Sequence, residues 1–268
     1  MKIILSRKGF DSEFGGYPSP ILPDDKMISL PIPDPKGNFC YKDLKIEFNK
    51  NYYELMRELG IKQDTLNSPC HLDPDIYHFV KERTKNWKPL FGQVGAAQGH
   101  LINQNIKEND LFLFFGTFQK TFFENNRIKF DPENEPKHVI FGYLQIGKII
   151  NSKGKVEEWM EYHPHYTKDW SKNNAIYVAR DKLSWNQNLP GAGVFKYKEN
   201  LVLTAKGQNL KSLWGIPILK GKKISYHTKN SWKAGLLKSV SKGQEFVIED
   251  NKDVEEWARN LIEANLMS

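Results

Sequence analysis

Two apolar runs constrain this chain more than anything else in it, because both are too long and too continuous to be exposed. Residues 111–118 read LFLFFGTF and residues 138–150 read HVIFGYLQIGKII. Unbroken apolar sequence rich in aromatic and β-branched residues, without alternation, marks strands covered on both faces. Asn109-Asp110 opens the first run through a polar turn, and a charged excursion over 124–137 separates it from the second. Shorter runs at 2–6 (KIILS) and 243–248 (GQEFVI) also read as strands, as do 174–178 and the start at 194–197. Residues 27–33 are extended because their prolines bar helix, and 39–48 is expected to return as a strand. Helices are fewer: 52–59 with Gly60 as its stop, 156–162, and an amphipathic segment over 253–266 with Trp257, Leu261 and Ile262 on one face. This combination predicts an α+β fold, a mixed or antiparallel sheet with peripheral helices. With 268 residues, 39% hydrophobic content and no low-complexity linker, the chain is expected to form a single compact domain over 1–268.

Composition excludes several classes. No stretch approaches the ~18 consecutive apolar residues of a membrane span, and the N-terminus lacks a signal-peptide core, so no membrane partner and a cytoplasmic location are expected. Cys40 and Cys70 contain no CxxC spacing, against both a structural zinc site and a disulfide framework. There is no Walker loop, GxGxxG, HExxH, GxSxG or zinc-deaminase signature. The net charge of +7 is uneven: 196–242 holds eleven lysines and one acidic residue, Glu199, leaving the rest of the chain slightly acidic. Phe195, Tyr197, Trp214, Tyr226 and Trp232 run through the same segment. Lysines release counterions from phosphates and aromatic faces stack on bases, so 196–242 is a candidate DNA-contacting surface, with Trp214, Lys220, Lys222 and Lys223 foremost. A solvated lysine-rich face is the competing reading.

Four stretches carry chemistry. After the first strand, Arg7, Lys8, Asp11 and Ser12 lie on a path fixed by Gly9, Gly15-Gly16 and Pro18-Ser19-Pro20. Asp11 is either a functional carboxylate or the acceptor of an Asx turn. Residues 68–75 (SPCHLDPD) gather a thiol, His71, Asp73 and Asp75. Asp73 can cap a short helix starting at Pro74, contact substrate, or join a metal site. The proline between the two carboxylates limits their convergence, so neither a metal nor another cofactor is expected. Residues 87–100 crowd small residues around Gln93, Gln98 and His100, whose groups suit a base edge or buried carbonyls equally. His163-Pro164-His165 offers two imidazoles to a phosphate or a metal, or forms a surface turn.

The two long runs together resemble the core hairpin of PUA-like barrels, which bind modified or flipped bases and RNA; the resemblance implies a PUA-like β-barrel core at about 88–150. Over almost the full chain, ILSRKGFDS, SLPIP, CHLDPD, FGQVGAAQGHL, DLFLFFGTF, HVIFGYLQIG, HPH, LPGAGVF and GQEFV resemble the third type of nucleotide-modification-associated domain family. That family is linked to modified DNA bases in phages and the bacteria that resist them, and it is similar to anti-phage glycosylases that remove glucosylated hydroxymethylcytosine. The resemblance implies a defence N-glycosylase that flips a hypermodified cytosine out of double-stranded DNA and leaves an abasic site. A non-catalytic reader of modified bases and a base-modifying transferase are the alternatives.

Glycosidic cleavage passes through an oxocarbenium-like state and needs a carboxylate, donors for the departing base, and cations for phosphates. The candidate carboxylates are Asp11, Asp73 and Glu245, with Asp11 first because its loop is the most constrained. Ser12, His71, Gln93, Gln98, His100 and Gln244 are candidates for base or sugar, and Arg7, Lys8, His163 and His165 for the DNA backbone. A monomer is favoured.

Overall fold

A computed structural model describes residues 1–46, 50–241 and 243–266, so the far end of the expected 39–48 strand and Lys242 of the basic segment lie outside the described residues. The chain enters as β1 (Ile3–Arg7), followed by the short strands β2 (Ser19–Ile21), β3 (Ile32–Pro33) and β4 (Phe39–Cys40). Helices α1 (Tyr52–Glu58) and α2 (Gln63–Leu66) precede β5 (Pro69–His71), β6 (Leu90–Gln93) and α3 (Gly95–Asn103). The two long runs become β7 (Leu111–Glu124) and β9 (Lys137–Ile150), with β8 (Arg127–Phe130) between them. β10 (Ala175–Ala179), β11 (Ala192–Val194), β12 (Leu213–Trp214), β13 (Trp232–Lys233), β14 (Leu236–Lys238), β15 (Glu245–Ile248) and α4 (Lys252–Leu266) complete the order.

The main sheet runs β15-β1-β7-β9-β10-β6. β7 and β9 pair antiparallel from Leu111↔Gln145 to Phe118↔Lys137, with one register shift after Phe114. β1 lies parallel to β7 and antiparallel to β15, so the sheet is mixed but mostly antiparallel, and the fold is α+β. All of Leu111–Phe118 is buried, as its unbroken hydrophobicity requires. Phe112 and Phe114 meet Phe91 and Tyr177 edge-on or stacked at centroid distances of 4.8–6.0 Å. α4 turns Val254, Ala258, Leu261 and Ile262 inward.

The expected PUA-like closed barrel does not form. The edge strands β15 and β6 do not pair with each other, and 88–150 shares its sheet with β1, β10 and β15 from outside that range. The sheet does coil until side chains of its two edges meet: Gln93 at the end of β6 donates to Glu245 Oε1 of β15 at 2.8 Å. The expected helix at 156–162 is replaced by single 3-10 turns at Lys153–Lys155, Glu158–Met160 and Pro164–Tyr166. Pro164 disfavours helix for the residue before it, and Met160 is drawn into a small core with Leu90, Ile150, Ile176 and Val178. In 39–46 the return strand is only Phe39–Cys40, ended by the 3-10 turn Tyr41–Asp43.

Candidate functional site

The end of β1, the start of β15, the end of β6, the 71–75 loop and the 163–165 turn meet at one end of the sheet. Past β1 the chain turns at Gly9, whose φ of +77° and lack of a Cβ are both required, since a Cβ would lie 2.6 Å from Ser29 Oγ. Asp11 forms the Asx turn, its Oδ1 accepting from the backbone N–H of Glu13 and Phe14 at 2.8 Å each. Arg7 is held by its loop neighbours, donating to the carbonyls of Val240 and Ser241 at 2.6 and 3.0 Å. Lys8 turns inward: its ammonium lies 2.9 Å from Glu245 Oε1 and 4.3 Å from the centre of the Phe91 ring. Gln93 donates to the same Glu245 oxygen, while Glu245 Oε2 is buried without a hydrogen-bond partner.

In the DPD loop the two carboxylates part. Asp75 accepts both guanidinium nitrogens of Arg83, at 2.6 and 2.7 Å, and the Tyr162 hydroxyl at 2.6 Å. Asp73 caps no helix at Pro74, because the chain there stays non-helical. Its Oδ1 accepts the Gly92 N–H of β6 at 2.8 Å, a cross-chain use that the short-range capping argument does not anticipate.

Around Asp73 stand three imidazoles. His163 Nε2 is 3.3 Å from Oδ1, and the Nε2 atoms of His165 and His71 are 3.9 and 4.0 Å from Oδ2. Gly92 admits this crowding, since a Cβ there would lie 2.3 Å from the His165 ring. Burial opposes ionisation of Asp73, but the close approach of His163 Nε2 and the fields of His165, His163 and His71 outweigh it and hold the carboxyl well below the usual carboxylate range. Burial pushes the His165 pKa down to about 3 against the pull of Asp73, and lowers that of His71 as well. The resting site is therefore an ionised carboxylate beside the neutral imidazoles of His71 and His165.

Asp73, His71 and His165 line one wall of a cavity of about 350 Å³, with Arg7, Lys8, Asp11, Gln93 and Gln244 on the others. The cavity thus gathers eight of the residues singled out in the sequence. Phe14, Asp34 and Lys168 also line it and were missed. Asp34 sits in an ordinary Pro-Lys-Gly turn and accepts from the Lys168 ammonium at 3.2 Å; neither has a sequence signature beyond charge. A second, more open cavity of about 850 Å³ shares Arg7 and Asp11 with the first. Ser12, Lys211, Lys233, Lys238 and the 45%-exposed Tyr226 line it.

Other candidates lie elsewhere. Trp214 is fully buried, packs against Phe115 and Phe246, and donates its Nε1–H to His138 Nδ1 at 3.0 Å, so it is a core residue and cannot stack on DNA. His163 and His165 are buried too, and they face Asp73 rather than a phosphate. Gln98 is buried on α3, accepting from the Tyr177 hydroxyl, and His100 bonds Ser225 Oγ beside Tyr226. Neither lines the 350 Å³ cavity. Lys222 and Lys223 form ion pairs with Asp253 and Glu249, whereas Lys220 is exposed.

The fold and site together define an α+β protein with a pocket that gathers charged and polar side chains and shares Arg7 and Asp11 with a lysine-lined cavity. Residues 2–249 match the family described as nucleotide modification associated domain 3, and the chain belongs to that family. Membership places it in a nucleotide-modification context. No curated protein and no solved structure matches the chain. Among the described residues no helix is long and apolar enough to cross a membrane.

Proposed function

We propose that this protein is a DNA N-glycosylase that draws a hypermodified cytosine, of the glucosylated hydroxymethyl kind, into the 350 Å³ cavity and cleaves its glycosidic bond. The observation that carries this reading is the ionised Asp73, buried beside neutral imidazoles on the wall of a cavity that shares residues with a lysine-lined one. Such a carboxylate suits a reaction that builds positive charge on the sugar, which it stabilises directly or through an oriented water. Gln93 and Gln244 supply amides for the base edge, and His71 faces the same space. Lys211, Lys233 and Lys238 would follow the phosphates, with Tyr226 as a stacking surface. Asp11, whose Oδ1 is engaged by its own turn, serves this reading as a rim residue between the cavities.

The test is incubation of the purified protein with unmodified, hydroxymethylated and glucosylated phage DNA. Released base is read by mass spectrometry and abasic sites by an aldehyde probe. The reading expects free modified base from modified DNA alone. Tight binding with no base released from any of the three DNAs would replace it with a reader of modified bases.

A further inference from the structure

The orientation of the imidazoles around Asp73 has a consequence beyond glycosidic cleavage. The Asn174 amide is fixed by its own bonds: Nδ2 donates to the His165 carbonyl at 2.7 Å, so Oδ1 must accept from His165 Nδ1, 3.0 Å away. The His165 proton is thereby placed on Nδ1, and Nε2 turns a lone pair toward Asp73. His71 repeats the pattern, with Nδ1 facing the Asp34 carboxylate at 3.2 Å and Nε2 turned to Asp73. Two lone pairs and a carboxylate oxygen, Asp73 Oδ2, thus converge with no proton between them. The three ligand atoms lie within 4.8 Å of one another.

We propose that His71, Asp73 and His165 bind one divalent first-row transition ion, zinc or ferrous iron in class. Two imidazoles and a carboxylate suit these metals, and each histidine already has the orienting acceptor on its far nitrogen that metal-bound histidines use. A further observation points to the same spot: His163 Nε2, fully buried and 3.3 Å from Asp73 Oδ1, is out of line for a hydrogen bond and has no other partner. Its Nδ1 accepts the His165 N–H at 3.3 Å, which puts the proton on Nε2, toward Asp73. His163 thus presents an N–H rather than a ligand lone pair beside Asp73 and is not counted among the ligands. Lys168 stands nearby but is paired with Asp34. Three protein ligands leave coordination positions open toward the cavity, where an ion would hold a water or a substrate oxygen and take over the orienting role that Asp73 has without it. The proposal rests on side-chain geometry and does not require the glycosylase reading.

The test uses chelator-treated full-length protein titrated with Zn²⁺, with Co²⁺ as a spectroscopic probe, and with Fe²⁺ under argon. One ion per chain is expected, with visible Co²⁺ bands from a nitrogen- and oxygen-ligated centre and a rise in melting temperature of a few degrees at about 100-fold excess over Kd. His71→Asn and His165→Asn should abolish stoichiometric binding while keeping the far-UV circular dichroism of the parent. Asn174→Ala, which touches no ion, should weaken binding about 10- to 100-fold. Binding below one ion per chain for every metal, or binding unchanged in both histidine variants, overturns the proposal. Stoichiometric metal with no base release from any DNA would sink the glycosylase reading and leave this one standing. Base release by the chelated, metal-free protein, together with no stoichiometric ion, would do the reverse.

Discussion

Asp73 and Asp75 leave the same loop, two residues apart, and face opposite ways. Asp75 is fully buried and accepts three strong hydrogen bonds, two from Arg83 and one from Tyr162, so its charge is satisfied by the fold. Asp73 has one oxygen on the Gly92 N–H and the other turned to imidazoles that do not donate to it. A buried charge with a full set of partners holds structure together; one left partly unpaired at a cavity wall is available to a ligand. The contrast separates what keeps the molecule folded from what it does.

Removing Arg83 should break the structural half of this comparison. Arg83→Ala leaves Asp75 buried without its cation, so unfolding free energy in urea should fall by about 3–5 kcal/mol, whereas Asp73→Asn should move it far less. Gly92→Ala tests the other half. The added Cβ collides with the His165 ring at 2.3 Å, so stability should drop by about 1–3 kcal/mol, as in other overpacked sites, with site-dependent binding lost. A stability loss with undisturbed His165 signals in NMR would contradict the fit described for this ring.

A third experiment uses a histidine outside the Asp73 cluster. Burial pushes His138 down to about 3, with Arg7 and Lys211 adding to the shift, while the free imidazole titrates near 6.5. Its folded form is therefore neutral over the range in which the unfolded chain takes up a proton. The group leaves stability unchanged above about pH 6.5, and between about 6.5 and 3 it lowers stability by about 1.4 kcal/mol per pH unit. His138→Gln should remove that much slope from urea midpoints measured between pH 7 and 4. The smallest effects belong to the surface. Each of Lys211→Ala, Lys233→Ala and Lys238→Ala should reduce the salt dependence of DNA binding by about one phosphate contact. Lys222→Ala and Lys223→Ala, already paired with carboxylates, should change it less.

Much of the site is legible in the sequence, because Lys8, Asp73, Gln93, His165 and Gln244 stand out as polar residues beside strand ends or prolines. What joins them is not legible. The Gln93–Glu245 contact depends on how far an open sheet coils, and the Asp73–Gly92 bond on a loop meeting a strand 19 residues away. Trp214 misleads because aromatics among lysines look like a stacking surface, whereas its indole completes the core around Phe115. The helix α3 was masked by Gly95, Gly99 and the alanines between them, which read as a small-residue loop.

The most direct test compares wild type with Asp73→Asn in single-turnover release of base from glucosylated DNA. Asparagine keeps the acceptor for Gly92 but removes the charge, so release should slow by about 10²- to 10⁴-fold, with DNA affinity and melting temperature close to wild type. Equal release rates for the two proteins would show that Asp73 is not the working carboxylate, and the account built on this cavity would fail.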